Sequence, residues 1–118
     1  MSPNYSRYHH AITCALLSAC VALSILTLTS AAAPKPRTHT VALRGMKNLP
    51  ATLLVRAGDT VVWKNEDVVP HTATDRGKVF DSGNIEPGGS WSYVAGTKGT
   101  FSYYCAYHPN TQGRLVVR

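Results

Sequence analysis

A thiol and an imidazole stand three residues apart near the C-terminus, in Cys105-Ala106-Tyr107-His108-Pro109-Asn110, directly after the aromatic stretch Phe101-Ser102-Tyr103-Tyr104. If that stretch is a strand ending at Cys105, the sharp turn through His108-Pro109-Asn110 directs both side chains into one pocket. A second imidazole, His71, lies far upstream in Pro70-His71-Thr72, in a loop between two strand-like segments. Two imidazoles and one thiolate at strand ends make the trigonal His2Cys set that suits copper with a weak axial ligand. Zinc would accept the same three donors plus a water. The enzymatic alternative is a cysteine nucleophile activated by the nearby histidine, but no orienting acid or oxyanion-forming motif accompanies the pair. His39 reads as an exposed histidine at the start of a strand.

The elements that must position these donors are short and β-like. Segments HTVALRG, ATLLVRAG, DTVVWKN, HTATD, KVFDS, SWSYVAG, GTFSYYC and GRLVVR alternate or are β-branched. Turn residues separate them, at Arg56-Ala57-Gly58-Asp59, Asn65-Glu66-Asp67, Glu86-Pro87-Gly88-Gly89 and Lys98-Gly99. About seven or eight strands at this spacing, without a helical period, predict an all-β sandwich or barrel. Val61 and Trp63 share one face of their strand, and Trp91 and Tyr93 share one face of theirs, so both tryptophans are expected to pack in the core.

The first third of the chain differs. Arg7 precedes an uncharged 19-residue run, residues 11–29, and small residues Ser30-Ala31-Ala32-Ala33 lead into Pro34-Lys35-Pro36-Arg37. Cationic, apolar and small-residue regions in that order make a secretory signal cut after Ala32. The run also approaches the length of an uncleaved membrane anchor. Leu17-Ser18-Ala19-Cys20 has the pattern of a lipobox that would lipidate Cys20, although the apolar stretch Val21 to Thr29 is unlike the polar tether such an anchor carries. In each case the folded part is exported. The domain organisation expected is a signal at 1–32, a Pro-rich linker at 33–38 and one domain at 39–118.

Removal of the signal takes Cys14 and Cys20 with it, and Cys105 is then the single thiol. Residues 34–118 hold 11 Lys+Arg against 6 Asp+Glu, and the whole 118-residue chain carries a formal charge of +6. A domain this small often needs a staple. One cysteine excludes an intramolecular disulfide, which leaves a metal as the next candidate. Charged residues make up 15% of the chain, too few for a disordered tail or a basic nucleic-acid arm.

Residues 39–118 resemble the small blue copper proteins, the plastocyanin, amicyanin and pseudoazurin group of cupredoxins. The resemblance rests on Pro50-Ala51-Thr52, on Val55 through Asn65 (VRAGDTVVWKN), on Val69-Pro70-His71-Thr72 and on Phe80-Asp81-Ser82-Gly83. It continues through Gly99-Thr100-Phe101-Ser102-Tyr103-Tyr104-Cys105, His108-Pro109 and Gly113 to Val117. The short Cys-x-x-His loop followed by proline looks most like amicyanin.

The resemblance implies an eight-stranded Greek-key β-sandwich with one copper ion, cycling between Cu(I) and Cu(II), at one end. His71, Cys105 and His108 match the family's equatorial ligands, and the Thr72 N–H matches the donor to the thiolate. Thr111 stands where the family places its axial methionine. A site without a strong axial bond at Thr111 is the leading reading, with Gln112 or Met46 as substitute donors. Asn65 is a candidate to pin the ligand loop by side-chain hydrogen bonds.

The implied function is single-electron shuttling by an exported, periplasmic, monomeric carrier that is not an enzyme. A transient redox partner would dock at the His108 edge, ringed by Pro70, Pro109, Tyr107 and Met46. No nucleic acid is involved, and membrane contact is limited to the N-terminal segment. The alternative is an envelope copper-binding or copper-delivery protein, for which Thr111 would loosen the metal.

Overall fold

Alternating side chains build eight strands in a computed structural model that describes residues 28–118. Residues 1–27, which hold most of the expected signal, lie outside the described residues. Residues 28–37 are irregular and exposed. The strands are β1 (Thr38–Arg44), β2 (Lys47–Leu49), β3 (Thr52–Val55), β4 (Thr60–Asn65), β5 (Thr74–Asp75), β6 (Ser90–Val94), β7 (Gly99–Tyr104) and β8 (Gln112–Val117). They form two four-stranded sheets, in the orders β2-β1-β4-β6 and β3-β8-β7-β5. This is the eight-stranded sandwich expected.

Period-2 burial creates the core between the sheets. Val41 and Leu43 of β1, Val61 and Trp63 of β4, and Leu115 of β8 are all completely buried, while their strand neighbours face outward or sit at the margin. Fully burying each such side chain stabilises the fold by roughly 1.5–3 kcal/mol. Trp63 is the hub: its ring lies 5.5 Å from Phe80, 5.6 Å from Trp91 and 5.3 Å, edge-on, from Tyr103. Trp91 and Tyr93 stack at 6.0 Å on the inner face of β6 and pack against this cluster, as alternation in SWSYV predicts.

Two segments behave differently from the sequence expectation. HTATD contributes only the two-residue β5, and KVFDS is not a strand at all. Asp75 folds that stretch into a turn: its carbonyl accepts from Lys78, its carboxylate accepts from the Val79 N–H, and its N–H donates to the Phe80 carbonyl. Asp81 then makes only an isolated bridge with Thr74. In the other direction, Lys47–Leu49 forms β2, which three residues of mixed polarity do not announce. It is made by the tight turn at Gly45 and Met46, both at positive φ (59° and 61°), which returns the chain antiparallel to β1.

Two pairings are parallel, β1 with β4 and β3 with β8. The first sets Leu43 against Asn65, and the antiparallel β7–β8 ladder sets Tyr104 against Gln112. The loops that follow Arg44, Asn65 and Tyr104 are thereby brought to one end of the sandwich, where they are hydrogen-bonded to one another.

Candidate metal centre

Cys105 lies one residue past the end of β7, completely buried. Its loop is closed by three backbone bonds: the Cys105 N–H donates to the Thr111 carbonyl, the His108 N–H to the Cys105 carbonyl, and the Thr111 N–H to the His108 carbonyl. This folding brings His108 Nδ1 to 3.6 Å from Cys105 Sγ. His71 is also completely buried, held by a two-way backbone bridge in which its N–H donates to the Ile85 carbonyl and the Ile85 N–H to its own. Donor atoms of His71, Cys105 and His108 all lie within 4.8 Å of one another.

The state of His71 is informative. Its Nε2 sits 2.8 Å from the Asp67 carboxylate, whereas Nδ1 is buried with no hydrogen-bond partner. With the Nε2–H donated to Asp67, Nδ1 carries an unshared lone pair inside the protein. A buried acceptor without a partner costs about 1–3 kcal/mol. A soft thiol and a second imidazole on the same spot make that arrangement fit a type 1 copper site.

Neighbouring groups hold the donors from behind. The Thr72 N–H points at Cys105 Sγ at 3.3 Å, and the Thr72 hydroxyl accepts from the Ala106 N–H at 2.8 Å. Asn65 is completely buried; its amide donates to the carbonyls of Val69 (2.8 Å) and Ile85 (2.9 Å), and its Oδ1 accepts from the Asp67 N–H (2.9 Å). One side chain thus fixes both ends of the loop that delivers His71. Burial pushes the Asp67 carboxyl upward, but the Met46 N–H, His71 and the Gly45 N–H outweigh it and hold the group below the usual carboxylate range.

Thr111 is buried beside the cysteine loop, and its hydroxyl donates to the Met46 carbonyl at 2.9 Å. Gln112 is exposed and its amide donates to the Pro109 carbonyl. Met46 is 40% exposed at its turn. His39 stands apart from the cluster, 2.9 Å from Asp59 at the start of β1. Asp67 was not singled out by the sequence as anything beyond a turn residue; its one signal is the four-residue spacing to His71.

A cupredoxin-like domain family matches residues 15–117. Amicyanin from Paracoccus versutus is 30% identical over 82 residues, covering 65% of this chain and 62% of that protein's length. Plastocyanin from Scenedesmus fuscus is 33% identical over 82 residues, covering 58% of this chain and 84% of that one. Among solved structures, an amicyanin variant in the Cu(I) form superposes with a TM-score of 0.64 at 28% identity, over 69% of this chain and 82% of the other. A purple cupredoxin from Nitrosopumilus maritimus gives 0.62 at 26%, over 68% and 99%. The sandwich, the clustered His71, Cys105 and His108, and the family match over most of its length agree, and the chain belongs to the cupredoxin-like family.

Proposed function

We propose that this protein is a copper-binding electron carrier whose ion is held by His71, Cys105 and His108. The single observation that carries the reading is the buried His71 Nδ1, unpartnered and within 4.8 Å of a thiol and a second imidazole. Copper bound there supplies one-electron cycling between Cu(II) and Cu(I). What the chain contributes is a fixed donor set: His71 is locked through Asp67 and the Ile85 bridge, Cys105 through Thr72, and His108 through its closed loop. Donors that cannot relax suit both oxidation states with little rearrangement.

Thr111 stands where the family pattern has its axial methionine, and its hydroxyl donates to the Met46 carbonyl; a neutral hydroxyl oxygen there would be a weaker, harder donor to copper than a thioether. Electron exchange takes place at the half-buried His108, whose ring lies 6.4 Å from that of the exposed Tyr107; the exposed Met46, Pro70 and Pro109 complete the docking rim in this reading. An apolar rim of this kind fits a small, transient interface with a redox partner, and the excess of Lys and Arg steers an acidic one. Residues 1–32 act as the export signal and 33–38 as the linker to a domain that works as a monomer outside the cytoplasm.

Copper loading followed by visible absorption and voltammetry tests the reading. An intense thiolate charge-transfer band, lost in Cys105→Ser, with fast reversible cycling is expected. A colourless Cu(I)-only site that surrenders its metal to a chelator would overturn it in favour of copper delivery.

A further inference from the structure

We propose that Asp67 is a potential-setting clasp. It joins the His71 loop to the Gly45–Met46 turn, and that turn in turn holds the cysteine loop through Thr111. The inference rests on His71 and Cys105 being copper ligands. Asp67 Oδ2 takes the His71 Nε2–H at 2.8 Å and the Met46 N–H at 3.0 Å, while Oδ1 takes the Gly45 N–H at 2.6 Å. Met46 is therefore bonded from both sides, its N–H to Asp67 and its carbonyl to the Thr111 hydroxyl. A non-glycine residue at φ 61° persists where its surroundings over-determine it. Two ligand loops that come from opposite sheets meet at this one residue.

The chemical consequence concerns His71. A ligand imidazole that donates its distal N–H to a carboxylate is a stronger base and keeps one orientation. A stronger σ-donor favours Cu(II) over Cu(I), so Asp67 lowers the reduction potential. This opposes the rise that a missing axial thioether produces. The neighbouring carboxylate, Glu66, is aimed elsewhere, toward the Arg44 guanidinium.

The experiment compares Asp67→Asn with Glu66→Gln in the full chain. Removing the carboxylate behind a metal-bound histidine typically changes metal affinity 10–100-fold. Because the stronger σ-donation acts on Cu(II), Asp67→Asn is expected to weaken Cu(II) binding about tenfold with Cu(I) binding unchanged, which raises the potential by ~59 mV for a one-electron couple. Glu66→Gln should change it less than twofold. Equal shifts in both variants would reduce the effect to loss of a nearby charge and overturn the proposal, as would an unchanged potential in Asp67→Asn. In the metal-free chain, a slowly exchanging His71 Nε2–H resonance should be visible by NMR and lost in Asp67→Asn; its absence from the unsubstituted chain overturns the tie.

Thr111→Val, which replaces the hydroxyl by a methyl of similar size, tests the bridge. Its effect on the potential should be at least threefold smaller in the Asp67→Asn background than alone, and strictly multiplicative effects would refute a shared clasp. If the unsubstituted chain forms no coloured copper site, the proposed function fails while the metal-free NMR test of the Asp67–His71 bond still stands.

Discussion

Removing the Asn65 side chain should unfasten the His71 loop, and the size of the effect follows from its bonds. Asn65 is completely buried at the end of β4 and makes three side-chain hydrogen bonds, to Val69, Ile85 and Asp67, at 2.8–2.9 Å. In Asn65→Ala the Ile85 carbonyl keeps the His71 N–H as a partner. The Val69 carbonyl and Asp67 N–H are partly buried and recover some hydration. Full desolvation penalties are therefore not incurred, and about 1 kcal/mol per lost bond gives ~3 kcal/mol. For a unit of this size that lowers Tm by roughly 12–24 °C. Asn65→Asp retains the acceptor but turns a carboxylate toward two carbonyls, and is expected to cost at least as much at neutral pH. Urea denaturation of the metal-free protein, followed by tryptophan fluorescence, measures both. An unchanged m-value with a loss of ~3 kcal/mol supports the role; a loss below ~1 kcal/mol for Asn65→Ala would show that the ligand loop does not depend on this amide.

Gly113 faces Tyr103 across the β7–β8 ladder, and a Cβ there would overlap the phenol ring; Gly113→Ala should destabilise by about 1–3 kcal/mol in the same assay. Burial raises the Tyr103 hydroxyl to about 12. Its contribution is thus fully present below the unfolded value near 10 and is lost as pH climbs toward 12, at a cost of about 3 kcal/mol; alkaline melts should show this loss, and Tyr103→Phe should remove it. The Asp59 carboxyl is held down to about 2 by the N–H groups of Arg37 and Arg56 and by His39. Its stabilisation is complete above pH ~4 and fades as pH falls toward 2, so acid titration of Asp59→Asn should give a flatter stability profile there than the unsubstituted chain.

Strand positions were legible where burial alternates. Val61 and Trp63 show it in β4, and Trp91 and Tyr93 in β6, because a sheet with one face on a core imposes period 2 on its residues. The pattern says nothing of which strand lies beside which, so the parallel pairings of β1 with β4 and β3 with β8 emerge only in three dimensions. KVFDS has strand-like composition, but Asp75 supplies its carbonyl and carboxylate to a turn there, and local side-chain bonding prevails over propensity. β2 was invisible because its existence depends on the Gly45–Met46 turn, with a methionine in a conformation that residue rarely adopts.

The candidate metal ligands were legible for a different reason. His71, Cys105 and His108 have few chemical uses together, so residue type alone narrowed the reading. The groups that orient them have many uses. Asp67 between Glu66 and Val68 looks like any turn acid, and Thr72 like any β-branched residue. Their roles come from contacts between loops about 20 to 65 residues apart in sequence, such as Met46 with Thr111 and Thr72 with Cys105. This division has a physical basis. The donors lie beyond the strand ends, where the ladders give way to the isolated His71–Ile85 bridge and the short backbone bonds of the cysteine loop, and the ties between loops come from side chains bonded to the backbone of other segments. Asn65, Asp67, Thr72 and Thr111 each do this. Scaffold stability and donor geometry are therefore separable: a substitution at Gly113 should weaken the sandwich while leaving the donor spacing intact, whereas one at Asp67 should alter the metal's electronic preference with the sandwich unchanged.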